Sequence, residues 1–219
     1  MNLFLTGTDT GVGKTHTAVQ LLRAGRAAGL RCAGMKPICC GDRDDALQLL
    51  AASSEGLTID ELNPVWLKTP AAPFSASLIE QVEIDDKQLI EKLHALEERF
   101  DCVVVEGVGG WLVPIRRDFF VADLAALVNL PVVVVAMNRL GCLNHTILTV
   151  RSVVAHGLVC AGVVLNSPDF PSKFTQVYRK DTRFWAFRSP SLGEICWAYP
   201  LLESGRTNLI LCCYKKLCT

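Results

Sequence analysis

The sequence predicts an α/β fold, in which a mainly parallel, doubly wound sheet is flanked by helices in one domain. Short apolar runs, several of them rich in valine, alternate along the chain with longer segments of helical period. Near-continuous apolar runs are typical of strands that are buried on both faces. Strands separated by helices favour right-handed crossover connections. The 219 residues are enough for one such domain with a sizeable core.

The alternation predicts strands and helices in turn along the first three-quarters of the chain. Strands are predicted at residues 2–6, 31–37, 102–106, 131–136 and 160–166. Helices are predicted at residues 15–28, 44–52, 86–100, 121–128 and 144–156.

Local signals support these elements. The first strand leads directly into a glycine-rich loop, and the helix that follows has an apolar face formed by Ala18, Leu21, Leu22 and Gly25. Gly29 suits the C-cap of that helix. The helix at residues 86–100 directs Leu89, Leu93 and Leu96 inward. The strand at residues 102–106 is apolar throughout and ends on a carboxylate.

The composition argues against several classes of function. Lys and Arg number 22, as do Asp and Glu, so the net charge of zero favours neither nucleic acid nor a membrane surface as a partner. The longest apolar stretch, residues 130–137, is too short to span a bilayer. No targeting segment is visible before the glycine-rich loop. We therefore expect a cytoplasmic protein that binds neither nucleic acid nor membranes.

The ten cysteines contain no Cys-x-x-Cys pair, so a zinc site has no sequence support. Cys102 and Cys160 lie inside apolar runs, where cysteine usually serves as a small buried hydrophobe. We expect reduced thiols.

The pattern weakens after about residue 168. Nine of the sixteen aromatic residues lie beyond it, and Gly, Pro and charged residues interrupt any helical period there. We therefore divide the chain into residues 1–168 and a divergent segment, residues 169–219, that belongs to the same domain.

The glycine-rich loop, TGTDTGVGKT at residues 6–15, is a near match to the Walker A pattern Gly-x4-Gly-Lys-Ser/Thr. Its leading glycine, Gly7, stands one residue early. A predicted strand precedes the loop and a helix follows it, so backbone N–H groups and the helix N-terminus can face a phosphate. Lys14 can reach the outer phosphates, and Thr15 can place its hydroxyl on Mg²⁺. The loop predicts a P-loop NTPase-type domain.

Three charged residues stand at the ends of predicted elements. Glu106 ends a predicted strand and is followed by a second glycine-rich turn at residues 107–110. Ligands of such sheets bind at the carboxyl ends of the strands, and P-loop enzymes commonly hold Mg²⁺ with a strand-end carboxylate. Lys36 ends another predicted strand, and Asp45 opens a helix. Each of these positions is also compatible with a merely solvated side chain or, for Asp45, with the helix dipole.

Five segments in series resemble the dethiobiotin synthetase family, in the P-loop amidoligase-like group. They are residues 6–15 (TGTDTGVGKT), 34–37 (GMKP), 44–47 (DDAL), 105–110 (VEGVGG) and 140–145 (LGCLNH). The resemblance covers residues 2 to about 166, with a short echo at residues 192–195 (LGEI). It implies a biotin-biosynthetic cyclo-ligase that joins 7,8-diaminononanoate, CO2 and ATP into dethiobiotin. The reaction would pass through a phosphorylated carbamate and release ADP and phosphate.

The resemblance also implies roles for individual residues. Lys36 would be the catalytic residue that stabilises the transferring phosphoryl group. Mg²⁺, a cation that prefers oxygen ligands, would be held by Thr15, Asp45 and Glu106. The substrate would contact Thr10, Cys40 and Asn144, the last at a dimer interface of a homodimer. ATP would contact Gly11, Val12, Gly13, Lys14, Thr15, His16, Asp45, Glu106, Gly107, Val108, Gly109, Asn166, Ser167, Cys196, Trp197, Ala198 and Glu203.

The sequence departs from the family at two places. Where the family often has serine, this chain has Cys40, and a thiol is a weaker hydrogen-bond donor than a hydroxyl. The segment after residue 168 aligns only in short pieces, so the contacts to adenine depend on residues that the pattern barely reaches.

Three alternatives remain open at this point. A related P-loop amidoligase of the cobyrinate type shares the loop chemistry. A partition-type ATPase switch would carry a lysine five residues before Lys14, where this chain has Asp9. A copy that folds without turning over is also compatible with the divergent tail.

Overall fold

The computed structural model describes residues 2–166 and the backbone of two later strands, residues 195–200 and 210–214. The strands in chain order are β1 Leu3–Gly7, β2 Cys32–Met35, β3 Ile38–Cys40, β4 Val65–Leu67, β5 Cys102–Glu106, β6 Pro114–Arg116, β7 Phe119–Phe120, β8 Val132–Met137, β9 Cys160–Asn166, β10 Ile195–Pro200 and β11 Ile210–Tyr214. The helices are α1 Lys14–Ala27, α2 Asp44–Ala52, α3 Ile59–Leu62, α4 Pro73–Glu80, α5 Asp86–Glu97, α6 Val121–Val128 and α7 Cys142–Ala155.

The main sheet has the strand order β10-β11-β9-β8-β1-β5-β2. The five strands from β9 to β2 are mutually parallel, and β11 pairs antiparallel with β9 and with β10. The chain leaves β1 toward β2 and leaves β5 toward β8, so the connections after these two adjacent strands run in opposite directions. Such a reversal opens a crevice at the carboxyl ends of the strands, where ligands of doubly wound sheets bind.

The two faces of this sheet form two cores. Side chains alternate between them along each strand, because successive residues of a strand point to opposite sides. Leu3 and Leu5 pack with α1 and α2, for example, whereas Phe4 packs with α5, α6 and α7. Both faces are covered, which explains the continuous apolar runs in the sequence.

The predicted α/β architecture is confirmed, and four of its elements have the predicted bounds: α2, β5, α6 and β9. β2 is shorter than the predicted strand at residues 31–37, because the chain leaves the main sheet at Lys36. α5 ends three residues before its predicted end, and α7 begins at Cys142 rather than at residue 144.

Two short pairs of strands and two short helices were not predicted. β3 pairs in parallel with β4 outside the main sheet, and β6 and β7 form an antiparallel hairpin. Three-residue strands carry almost no periodicity, so no pattern indicates them. α3 does have a signal, a capping box in which Thr58 and Glu61 bond reciprocally at its start.

Within the described part of the chain, no helix combines the length and the apolarity needed to cross a bilayer. The division of the chain at residue 168 stays a prediction.

Candidate nucleotide and metal site

The phosphate loop joins β1 to α1 at the carboxyl edge of the sheet. Its two flanking glycines are required by space. A Cβ at Gly7 would lie 2.8 Å from the Asp9 carbonyl and 3.0 Å from Lys14 Nζ. Gly13 has a φ of +94°, and a Cβ there would lie 2.0 Å from Asn166 Nδ2. The early leading glycine thus makes room for the lysine and for the first turn of the loop.

Lys14 begins α1, and its side chain is buried beneath the loop. Its ammonium donates to the Asp9 carbonyl at 3.0 Å. Burial and the nearby Lys36 ammonium lower the pKa of Lys14 to about 8, although Glu106, Asp45 and Asp9 act in the opposite direction. A polyphosphate bound in this loop would supply the anionic partner that favours the charged form.

Lys36, Asp45 and Glu106 form one ionic cluster, which we call the Lys36 cluster. Lys36 Nζ lies 2.7 Å from Glu106 Oε1 and 2.9 Å from Asp45 Oδ2. It also donates to the Gly107 carbonyl at 3.4 Å. The side chains of Lys36 and Glu106 are 2% and 0% exposed, whereas that of Asp45 is 45% exposed. The cluster is therefore closed to solvent except at Asp45.

The ion pairs hold both partners of Lys36–Asp45 in their charged forms. Burial acts to lower the pKa of Lys36, but the carboxylates of Glu106 and Asp45 raise it above its ordinary value. Burial likewise acts to raise the pKa of Asp45, but the Lys36 ammonium and hydrogen bonds from Lys36 and Thr15 hold it below its ordinary value. A charged lysine therefore faces the phosphate loop at neutral pH.

Thr15 brings a third oxygen to the two carboxylates. Its Oγ1 lies 2.7 Å from Asp45 Oδ1 and 2.8 Å from Glu106 Oε1. A hydroxyl carries one proton and can donate to only one of these oxygens. Glu106 Oε2 is also buried and has no partner among the described residues. The carboxylate oxygens of Asp45 and Glu106 around the Thr15 hydroxyl thus have fewer hydrogen-bond donors than they can accept.

These oxygens fit Mg²⁺. The cation prefers oxygen ligands and commonly takes one or two carboxylates together with waters and substrate phosphates. A bound cation would also satisfy the convergent oxygens of Thr15, Asp45 and Glu106. In the described residues, no group of three or more His, Cys, Asp or Glu side chains could hold a metal, so a site made entirely of such ligands has no support there.

Comparison with known proteins identifies the family. Residues 1–201 match a family model described as an AAA domain. The ATP-dependent dethiobiotin synthetase BioD of Akkermansia muciniphila is 45% identical over 166 residues, which cover 76% of this chain and 78% of that protein. The enzyme of the same name from Aromatoleum aromaticum is 45% identical over 204 residues, with 88% of each chain covered.

The chain belongs to the ATP-dependent dethiobiotin synthetase family.

A solved structure shares the fold of this dethiobiotin synthetase family member. The septum site-determining protein MinD from Pyrococcus horikoshii, complexed with Mg-ADP, superposes with a TM-score of 0.51 over 80% of this chain and 73% of that one. The two sequences are 16% identical, so the likeness concerns the fold alone.

Other residues predicted for the nucleotide also lie along the phosphate loop of this family member. Asn166, at the end of β9, donates its amide to the Val12 carbonyl at 3.0 Å. Gly107 bonds through its N–H to the Leu5 carbonyl at 2.9 Å. A Cβ at Gly109 would lie 3.7 Å from Thr10 Oγ1, so the two glycine-rich turns face each other. Val108 lies between these glycines and is partly buried.

For three further predicted residues among those that the structure describes, it gives a position but no hydrogen bond or ion pair to the Lys36 cluster. His16 is half-buried in the first turn of α1, and its Nε2 has no partner among the described residues. Cys40 is half-buried at the end of β3, and burial, aided by Cys39, raises its pKa to about 11. Asn144 is exposed in the first turn of α7. Roles for these three stay predictions.

The predicted adenine contacts lie in the C-terminal part of the chain. Ser167 and Glu203 fall outside the described residues. Cys196, Trp197 and Ala198 lie in β10, at the edge of the main sheet, where the structure describes the strand alone.

Several residues near the site carry no sequence motif. Arg139, in the loop after β8, pairs with Asp9 of the phosphate loop at 2.9 Å. Asn63 and Arg43 bond to each other beside Lys36. A buried amide or an exposed ion pair leaves no periodic signal, and only the dipeptide Asn63-Pro64 hints at a turn there.

Proposed function

We propose that this chain catalyses the ATP-dependent ring closure of 7,8-diaminononanoate with CO2 to dethiobiotin, releasing ADP and phosphate. The observation that carries the proposal is the Lys36 cluster. A buried ammonium, paired with two carboxylates, lies beside a phosphate loop in a member of this family. Cation placement beside a transferring phosphoryl group is the main catalytic requirement of such chemistry.

The proposed chemistry has three parts. One amine of the substrate combines with CO2 to form a carbamate. The γ-phosphoryl group of ATP is transferred to the carbamate, and negative charge develops on its equatorial oxygens. The second amine then displaces phosphate and closes the ring. The phosphate loop with Lys14 would bind the polyphosphate, and Lys36 would stabilise the developing charge.

We propose that Thr15, Asp45 and Glu106 hold Mg²⁺ when it is bound. The ion would neutralise charge on the phosphate oxygens. Lys36 has a second role in this arrangement, since its ammonium bonds to both carboxylates and keeps them oriented toward the Thr15 hydroxyl. The fold neighbour MinD is complexed with Mg-ADP, which supports this assignment.

We propose that the adenine end of the site uses Asn166, Ser167, the β10 residues Cys196, Trp197 and Ala198, and Glu203. The substrate end would use Thr10 and Cys40. Asn144 would help to hold the substrate carboxylate through backbone N–H groups at the start of α7, where a helix N-terminus favours an anion. In this proposal the protein is a cytoplasmic homodimer that binds small molecules rather than nucleic acid.

The test is phosphate release in the presence of ATP, Mg²⁺, bicarbonate and 7,8-diaminononanoate, with each component omitted in turn. We expect release to fall to background whenever the diamine or bicarbonate is absent. Release that persists without the diamine would contradict the proposal and favour an ATPase switch. Release that requires a different acid or amine would favour another P-loop amidoligase.

A further inference from the structure

Lys36 lies in a break between two strands. It follows β2 and precedes Pro37 and β3. Its N–H group donates to the Leu62 carbonyl at 2.9 Å, and its carbonyl accepts from Asn63 Nδ2 at 2.8 Å. Both main-chain groups of Lys36 are therefore held by the C-terminal end of α3, where Leu62 is the last helical residue and Asn63 the C-cap, rather than by the main sheet.

Asn63 is 1% exposed, and its side-chain amide has partners on both ends. Besides the Lys36 carbonyl, Nδ2 donates to the Val65 carbonyl at 2.9 Å, and Oδ1 accepts from Arg43 Nε at 2.8 Å. Carbonyls can only accept and a guanidinium can only donate, so these partners determine the orientation of the amide. An aliphatic residue or an ionised aspartate could not donate to the two carbonyls.

Arg43 connects Asn63 to the other side of the Lys36 cluster. It is the N-cap residue of α2, and Asp45 is the second residue of that helix. A guanidinium nitrogen donates to the Asn63 main-chain carbonyl at 2.9 Å, and the guanidinium lies 5.0 Å from the centre of the Trp66 ring. The start of α2 is therefore attached to the same amide that holds the main chain of Lys36.

We propose that Asn63 is a positioning residue that sets the Lys36 ammonium against the Asp45 carboxylate, which lie 2.9 Å apart. Asn63 acts through Lys36 and Arg43 and does not itself contact the reacting atoms. The inference rests on the proposed function, because Lys36 is the catalytic residue there. A displacement of about 1 Å in a reacting group can cost about 10²-fold in rate, so loosening this connection should act on turnover.

The first test compares Asn63→Ala with Asn2→Ala. Asn2 is a matched control, because its amide also bridges two segments, donating to Glu97 Oε1 at 2.7 Å and accepting from the Val103 N–H at 2.9 Å. It lies immediately before β1, at the opposite edge of the sheet from the phosphate loop. Both substitutions should lower the melting temperature.

We expect only Asn63→Ala to lower kcat, by about 10- to 100-fold, as is typical when a partner that orients a functional group is removed. The KM for ATP should rise much less than kcat falls, because Asn63 does not contact the phosphate loop and reaches the nucleotide only through the Asp45 side of the metal site. If Asn63→Ala and Asn2→Ala both retain the wild-type kcat, Asn63 is merely structural and the inference is wrong.

Arg43→Lys is a second variant that should fold even if Asn63→Ala does not. It keeps a cation near Trp66 but loses the forked bonds to Asn63. Titration calorimetry of ADP should show weaker binding in the presence of Mg²⁺ and unchanged binding in its absence, because only the Asp45 side moves. Wild-type affinity under both conditions would overturn the inference. Absence of diamine-dependent phosphate release in the wild type would instead overturn the proposed function, and the calorimetric comparison would still test the role of Asn63.

Discussion

Lys36 Nζ lies 2.7 Å from Glu106 Oε1, and neither side chain has more than 2% of its surface exposed. An ion pair so deeply buried costs desolvation free energy on both sides and is poor evidence for stability. Its position beside the phosphate loop instead indicates a functional use. The pair keeps the lysine charged and the carboxylate aligned with Thr15, and in the proposed function that ammonium would stabilise the transferring phosphoryl group.

Replacing Lys36 with alanine should abolish turnover and leave ATP binding largely intact. The expected loss is at least about 10²–10³-fold in kcat, the usual effect of removing a group that stabilises transition-state charge. The kinetics of phosphate release measure the loss of turnover, and titration calorimetry with ATP measures the retained binding. The exposed Lys87, in the first turn of α5, provides the control Lys87→Ala, which should change neither. Equal losses of binding and turnover in Lys36→Ala would make Lys36 an anchor for ATP rather than a catalyst.

Thr15→Val should weaken the Mg²⁺-dependent part of nucleotide binding. The substitution keeps the shape of the side chain but removes the hydroxyl that lies between Asp45 and Glu106. We expect affinity for ADP without added Mg²⁺ to change little, while the gain in affinity on adding Mg²⁺ is reduced.

The matched control is Thr149→Val, since the Thr149 hydroxyl donates within α7 to the His145 carbonyl at 2.8 Å. Its effect should be confined to stability. If Mg²⁺ increases the ADP affinity of Thr15→Val as much as that of the wild type, Thr15 is not a metal ligand.

Nucleotide binding should take up protons at alkaline pH through Lys14. Its pKa is lowered to about 8 in the folded protein, from 10.5, so between these values the unfolded chain holds the proton more often than the folded one. Burying the charged Lys14 therefore lowers the free energy of unfolding by its full amount below about pH 8. This destabilisation disappears as the pH rises toward 10.5, the pKa of Lys14 in the unfolded chain. Bound phosphates favour the charged lysine and reverse the shift.

ATP affinity should therefore fall as the pH rises above about 8, and binding at about pH 8.5 should be accompanied by proton uptake. Calorimetry in buffers of different ionisation enthalpy measures this uptake. The signal should be absent in Lys14→Met. Proton uptake that is the same in both proteins would assign it to another group.

Gly13→Ala should destabilise the protein more than Gly29→Ala. Both glycines have a left-handed backbone, with φ of +94° and +85°. That conformation alone costs an alanine about 1–2 kcal/mol. A Cβ at Gly29 meets no atom within 4 Å, whereas one at Gly13 would collide with the Asn166 amide at 2.0 Å. Urea unfolding of the two variants compares the costs. Equal free energies of unfolding would show that Asn166 does not pack against the loop as described.

The strand ends place Glu106 and Lys36 at the carboxyl edge of the sheet, and the family resemblance brings Asp45 to the same site. In a parallel sheet these ends meet at one edge. Glu106 was the firmest of the three, since a fully apolar strand leads directly to it. The structure confirms that the three side chains touch.

The residues and short strands that hold the Lys36 cluster in place could not be predicted from the sequence in the same way. Asn63 acts through hydrogen bonds to residues 20 and 27 positions away along the chain, and no local pattern encodes such partners. β3 and β4 are too short to show a period, and their pairing with each other depends on tertiary contacts. The ion pair between Asp9 and Arg139 joins residues 130 positions apart and is likewise silent in the sequence.

The most direct test of the central claim is a product analysis with ¹³C-bicarbonate. The protein is incubated with ATP, Mg²⁺ and 7,8-diaminononanoate, and the products are analysed by mass spectrometry. We predict that dethiobiotin carrying the ¹³C label accumulates together with ADP in equal amounts, and that Lys36→Ala forms neither. Formation of ADP without labelled dethiobiotin would contradict the proposed reaction.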